Sequence, residues 1–267
     1  NSYTASISGS YTVAVTNTVG NCLTNSSPLD VTANSSPDAP LISASGPLTF
    51  CQGESVNLSA VYNSDYTYKW MLNGGQVGTS SNSFTANASG TYSLEVANVS
   101  GCKTLSSNTV DIIVNSNPAV PTVSISGPTS FCQGSSVELS VSNTGGYSYQ
   151  WENNSAAITN ATASSYIANS SGGYTLKITN SNNCFIRTEN VNVFVSESPS
   201  APTITTVGLS TFCQDESILL SVTNTPGYSY QWKLNSGDVG SGSNTYTANA
   251  SGTYNLLVTN ASNCSVS

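Results

Sequence analysis

The chain is 267 residues and 27.5 kDa, built largely from small residues, and only 7% of it is charged. With 5 Lys and Arg against 13 Asp and Glu, a formal charge of −8 excludes nucleic acid as a default partner and argues against an anionic membrane surface. The lack of any histidine excludes His triads, His general bases and His metal sites.

Taken in chain order, the text repeats itself. Residues 1–36 open in mid-pattern and read as the C-terminal part of a repeat, with Tyr11 followed by Cys22. No leader peptide is visible, and the opening in mid-pattern makes the chain read as an internal piece of something longer. A Pro-x-x-Pro step at Pro37/Pro40 begins a whole repeat, 37–117; Pro118/Pro121 begins the next, 118–198. Pro199/Pro202 begins 199–267, which lacks its last strand. These prolines make short, semi-rigid links. Phe50-Cys51-Gln52-Gly53 returns as Phe131-Cys132-Gln133-Gly134 and as Phe212-Cys213-Gln214-Asp215, at a step of 81 residues. Trp70, Trp151 and Trp232 each follow that cysteine by 19 residues. Tyr92, Tyr174 and Tyr254 each precede a second cysteine, Cys102, Cys184 or Cys264, by 10.

Within 118–198, Val137, Leu139 and Val141 alternate with polar residues, as do Tyr147, Tyr149 and Trp151. Tyr174, Leu176 and Ile178 do the same, followed by Val191, Val193 and Val195. A period of two with Ser, Thr or Asn on the other face predicts half-buried antiparallel strands, separated by turns such as Asn143–Gly146 and Asn169–Gly173. Six or seven short strands in about 80 residues, with a Trp in the third and a Tyr opening the sixth, predict an immunoglobulin-like β-sandwich. The fold class is therefore all-β, tandem sandwiches in an extended head-to-tail array. Trp70, Trp151 and Trp232 fall on inward positions and are read as core rather than ligand platforms. Tyr92, Tyr174 and Tyr254 are core too, placed where a tyrosine corner would be.

The Cys-Gln-Gly text, the Tyr-x-Tyr-x-Trp strand and the Ser-Gly-x-Tyr-x-Leu-x-Val-x-Asn run to a cysteine resemble the tandem Ig-like repeats of giant surface proteins of Bacteroidota. That resemblance implies export by the type 9 secretion system and a role as a gliding or surface adhesin, or as a hook-like grappling filament. It implies an extracellular location attached to the outer membrane. Asp215 in place of Gly, and Gly208-Leu209 in place of Gly-Pro, are departures confined to turns.

No catalytic, cofactor or metal site is expected. The adjacent pair Asp215-Glu216 cannot face one reacting group, and the equivalent positions are Glu54, Ser135 and Glu216. A calcium loop with alternating acids is missing. Lys69, Lys103, Lys177 and Lys233 fall at four different repeat positions, which excludes a recurring Lys–Asn crosslink. Glycan binding would need a row of exposed aromatics, and most aromatics have inward parity. The expected function is a structural stalk or filament segment, not an enzyme and not membrane-inserted. Its partners would be neighbouring repeats and other copies of the chain, and its surface or glycan ligand is not specified. A glycan-binding module, or an accessory array of a secreted hydrolase, is the alternative.

Seven cysteines in such a chain point to an oxidising, extracellular setting, and no close Cys-x-x-Cys pair suits zinc. Two disulfide schemes compete. The within-repeat set is Cys51–Cys102, Cys132–Cys184 and Cys213–Cys264. Placing Cys132 at the start of the second strand and Cys184 after the sixth puts them at opposite ends of one domain, about 30 Å apart. A disulfide needs about 4.4–6.8 Å between Cα atoms. The inter-repeat set, Cys51–Cys184 and Cys132–Cys264, is therefore preferred. It leaves Cys22, Cys102 and Cys213 to partners in repeats outside the chain or incomplete within it.

Overall fold

The computed structural model describes residues 1–267, apart from the side chains of Thr79 and Ser241. The chain is all-β, a tandem array of immunoglobulin-like sandwiches, and it divides into two compact units, Asn1–Asn117 and Pro118–Ser267.

In the first unit, residues 1–36 form two small antiparallel pairs, Gly9–Tyr11 with Leu29–Val31 and Ala14–Thr16 with Leu23–Asn25. Repeat 37–117 stacks two sheets. One has the order Ser83–Ala86, Val56–Ser59, Ser43–Ala44; the other runs Thr49–Cys51, Val110–Asn115, Gly90–Asn98, Tyr66–Leu72, Gly75–Thr79. Alternation decides what lies between them. Val56 and Leu58 from one sheet meet Tyr68, Trp70, Leu94 and Val96 from the other, all buried.

The second unit repeats this plan. In 118–198, Ser124–Ile125, Val137–Ser140 and Ser165–Ala168 form the small sheet. The larger sheet has the order Ser130–Cys132, Val191–Ser196, Gly172–Thr179, Ser148–Asn153, Ala156–Ala157. In 199–267 the larger sheet has four strands, Gly237–Ser241, Ser229–Leu234, Tyr254–Thr259 and Ser265–Val266. Each repeat from 37 onward has its own core cluster.

Each core is pinned by an aromatic stack. Trp151 lies 6.2 Å from Tyr166, which lies 5.8 Å from Tyr174; Trp70–Phe84–Tyr92 and Trp232–Tyr246–Tyr254 match it. The indole N–H groups of Trp70, Trp151 and Trp232 donate to the carbonyls of Ser81, Ala163 and Ser243 at 3.0–3.1 Å. Tyr92, Tyr174 and Tyr254 each donate a hydroxyl to the carbonyl four residues back, at 2.9–3.0 Å, which is a tyrosine corner. The expectation that all six aromatics are buried needs one correction. Tyr254 is only partly buried, because the strand that pairs Val110 with Tyr92 and Val191 with Tyr174 has no counterpart beside Tyr254 among the described residues.

The strand reading also needs a correction at the first cysteine. Cys51 and Cys132 do not begin the second strand; each ends a three-residue strand of its own. Thr49–Cys51 pairs in parallel with Ile113–Asn115, and Ser130–Cys132 with Phe194–Ser196. Phe50 and Phe131 pack against their cores and hold these strands at the sheet edge.

Repeat 118–198 carries a buried charge pair. Glu152, 4% exposed, accepts from Arg187 Nε at 2.7 Å and Nη2 at 3.0 Å. That guanidinium holds the Glu152 carboxyl below its ordinary value of 4.5. A lowered folded pKa contributes stability above the unfolded value, and this is lost as pH falls through the folded one. Arg187→Met should cost about 2 kcal/mol at pH 7, below the usual cost of breaking a fully buried pair because the arginine is half exposed. Urea titrations at pH 7 and pH 4 check this. The deficit should shrink at pH 4 as the stranded carboxyl takes up a proton, and an equal deficit at both values contradicts the assignment.

Candidate functional site

The recurring feature with chemical consequence is the turn that ends at the second cysteine. In Asn98–Cys102 the backbone N–H of Asn98 donates to the Cys102 carbonyl at 3.0 Å. The Asn98 side-chain oxygen accepts from the N–H groups of Ser100 at 3.1 Å and Cys102 at 3.0 Å. Asn180 and Asn260 make the same bonds to residues 182 and 184, and 262 and 264, at 3.0 Å. This is an Asx turn, closed by a left-handed residue: Gly101 (φ +78°), Asn183 (+61°) or Asn263 (+61°). The asparagine side chain thus fixes the direction in which the cysteine leaves the turn.

In the second unit that turn meets the preceding repeat. Asn260 Nδ2 donates to the Glu197 carbonyl at 2.7 Å. Cys264 is disulfide-bonded to Cys132, with Cα atoms 5.5 Å apart and 132 residues of separation. Cys132 lies opposite Ser196 in the parallel register, and Cys264 Sγ is 3.9 Å from the Ser196 carbonyl. The bond ties the end of repeat 118–198 to the turn of repeat 199–267. In the first unit the same contacts recur: Asn98 Nδ2 donates to Ser35 O at 2.8 Å, and Cys102 Sγ is 3.6 Å from Asn34 O. Thr104 Oγ1 adds a bond to Pro37 O at 2.8 Å.

Residues 37–115 match the family described as "Ig-like domain CHU_C associated". No curated protein matches the chain. Among solved structures, a three-Ig fragment of titin, I67–I69, matches at TM-score 0.35 and 14% identity, covering 84% of this chain and 95% of that one. Murine CEACAM1b matches at TM-score 0.30 and 17% identity, covering 59% and 100%. An adhesin with which an Antarctic bacterium binds ice, described as Ca2+-stabilized, matches at 0.32 and 11%, covering 96% and 79%.

The Cys132–Cys264 bond contradicts the within-repeat disulfide set. Cys132 is bonded to Cys264, so neither Cys132–Cys184 nor Cys213–Cys264 forms, and Cys102 is a free thiol, so Cys51–Cys102 does not form. The reason is topological. The first cysteine of a repeat sits beside the end of the last strand, whereas the second follows the sixth strand at the other end of the same sandwich. Cys51 and Cys184 are each disulfide-bonded, and Cys22, Cys102 and Cys213 are free.

The acids at the first cysteine have a local task. Glu54 and Glu216 each accept from the N–H of Cys51 or Cys213, at 2.9 and 3.0 Å, closing the Cys-Gln-x-Glu turn. Asp215 takes φ +71°, close to the +97° and +94° of Gly53 and Gly134. No group of three His, Cys, Asp or Glu among the described residues could hold a metal ion. The exposed aromatics, Tyr3, Tyr62, Phe185 and Phe194, lie on separate strands and loops rather than in a row. Sequence reasoning missed the asparagine, although Asn17, Asn98, Asn180 and Asn260 precede Cys22, Cys102, Cys184 and Cys264 by four or five residues.

Proposed function

We propose that the chain is a stalk or filament segment of a large secreted cell-surface adhesin, attached at the outer membrane and exported by the type 9 route. Its task is reach and mechanical strength rather than catalysis. The observation that carries this reading is the Cys132–Cys264 bond, which joins consecutive repeats instead of stapling one core. A bond in that position transmits tension from one sandwich to the next past the proline link. Disulfides of this kind persist in an oxidising, extracellular setting. Low charge and short side chains suit a fibre whose partners are its own repeats and other copies of itself.

Translation by one repeat gives the second staple of this proposal, Cys51–Cys184, since Cys51 and Cys184 are the equivalents of Cys132 and Cys264. Mass mapping of peptides from protein purified without reductant tests it. The peptide holding Cys51 should be recovered joined to that holding Cys184. Recovery of Cys51 joined to Cys102 would sink the scheme.

A further inference from the structure

We infer that Asn260 is a positioning residue for the inter-repeat disulfide: one end of its amide shapes the turn that carries Cys264, and the other grips the repeat that carries Cys132. Its oxygen accepts from Ser262 and Cys264, both at 3.0 Å, while Nδ2 donates to Glu197 O at 2.7 Å. Glu197 directly follows Ser196, the register partner of Cys132. A single planar group therefore relates the backbone of Cys264 to the strand edge beside Cys132.

The first unit shows that this clasp does not depend on the bond. Cys102 is a free thiol, yet Asn98 makes the equivalent bonds to Ser100, Cys102 and Ser35 at 2.8–3.1 Å. Cys102 Sγ rests 3.6 Å from Asn34 O, as Cys264 Sγ rests 3.9 Å from Ser196 O. Asn34 and Ser196 occupy the same repeat position, two 81-residue steps apart. With no disulfide to draw it there, the sulfur in the first unit is placed by the asparagine and its turn. At the junction of 118–198 with 199–267 the same placement raises the effective concentration of one thiol for the other before they oxidise.

The test is the equilibrium in which two glutathione thiols reduce the Cys132–Cys264 bond, giving two cysteine thiols and one glutathione disulfide. It is read by thiol trapping and peptide mass, in the full chain with Cys22, Cys102 and Cys213 replaced by serine. Asn260→Asp keeps the acceptor for the turn but removes the donor to Glu197 O. It should shift the equilibrium toward the dithiol about tenfold, the size of one lost hydrogen bond. Asn235 supplies the control. Its oxygen accepts from Thr253 N at 3.0 Å within repeat 199–267, so Asn235→Ala should destabilise that repeat yet leave the disulfide equilibrium within about twofold. Should Asn260→Asp fail to fold, Asn260→Ser, which retains a turn acceptor without the reach to Glu197, takes its place. A shift below about threefold, or an equal shift in Asn235→Ala, overturns the inference.

Discussion

Trp151→Ala should cost repeat 118–198 about 3–5 kcal/mol, a large share of what a domain of this size has. Trp151 is completely buried, and its ring is the base of the stack that continues through Tyr166 to Tyr174. Truncation opens a cavity between the two sheets and strips the Ala163 carbonyl of its indole donor. Tyr166 would lose one of its two aromatic neighbours. Calorimetry is the suitable readout, since the parent's fluorescence mixes three tryptophans. One transition should move down or vanish while those of the other repeats stay put, because each core cluster lies within its own repeat. A trace identical to the parent's would mean that the tryptophan does not hold the sandwich together.

What the sequence could disclose follows from how each feature is encoded. The sandwich was legible because Val137/Leu139 and Tyr174/Leu176/Ile178 obey a period of two and because each repeat restates the pattern. The Phe-Cys strand was not, since three residues cannot display alternation and its partner lies more than 60 residues away. In the sequence pattern it merges with the neighbouring second strand. The Cys132–Cys264 pairing does not depend on that difference, because it needs only the end of the sandwich, not the strand, on which Cys132 lies. The Glu152–Arg187 pair was invisible for another reason. It occurs in a single repeat, and its members meet across three adjacent strands rather than along one. The asparagine of the turn was legible in spacing, but its second bond, to the preceding repeat, is a tertiary fact.

Cys264→Ser should remove about 2–4 kcal/mol from repeat 199–267, the usual worth of a native disulfide. The effect falls on that repeat because its larger sheet has four strands where those of 37–117 and 118–198 have more, and its Tyr254 is only partly buried. Cys132→Ser should lower the same calorimetric transition by a similar amount, as the two variants remove one bond. If only one of them has an effect, the loss belongs to local packing around that cysteine and not to the crosslink.

Whether the staple bears load is decided most directly by stretching single molecules from their two ends. The chain for this carries serine at every cysteine except Cys132 and Cys264. With the bond intact, tension passes from Cys132 straight to Cys264, and the 132-residue stretch between them is bypassed. Addition of dithiothreitol should then lengthen the fully extended chain by about 450 Å, the reach of that many residues at roughly 3.3–3.6 Å each. An extended length that is the same with and without reductant would contradict the account, because the repeats would then be joined in series by their peptide links alone.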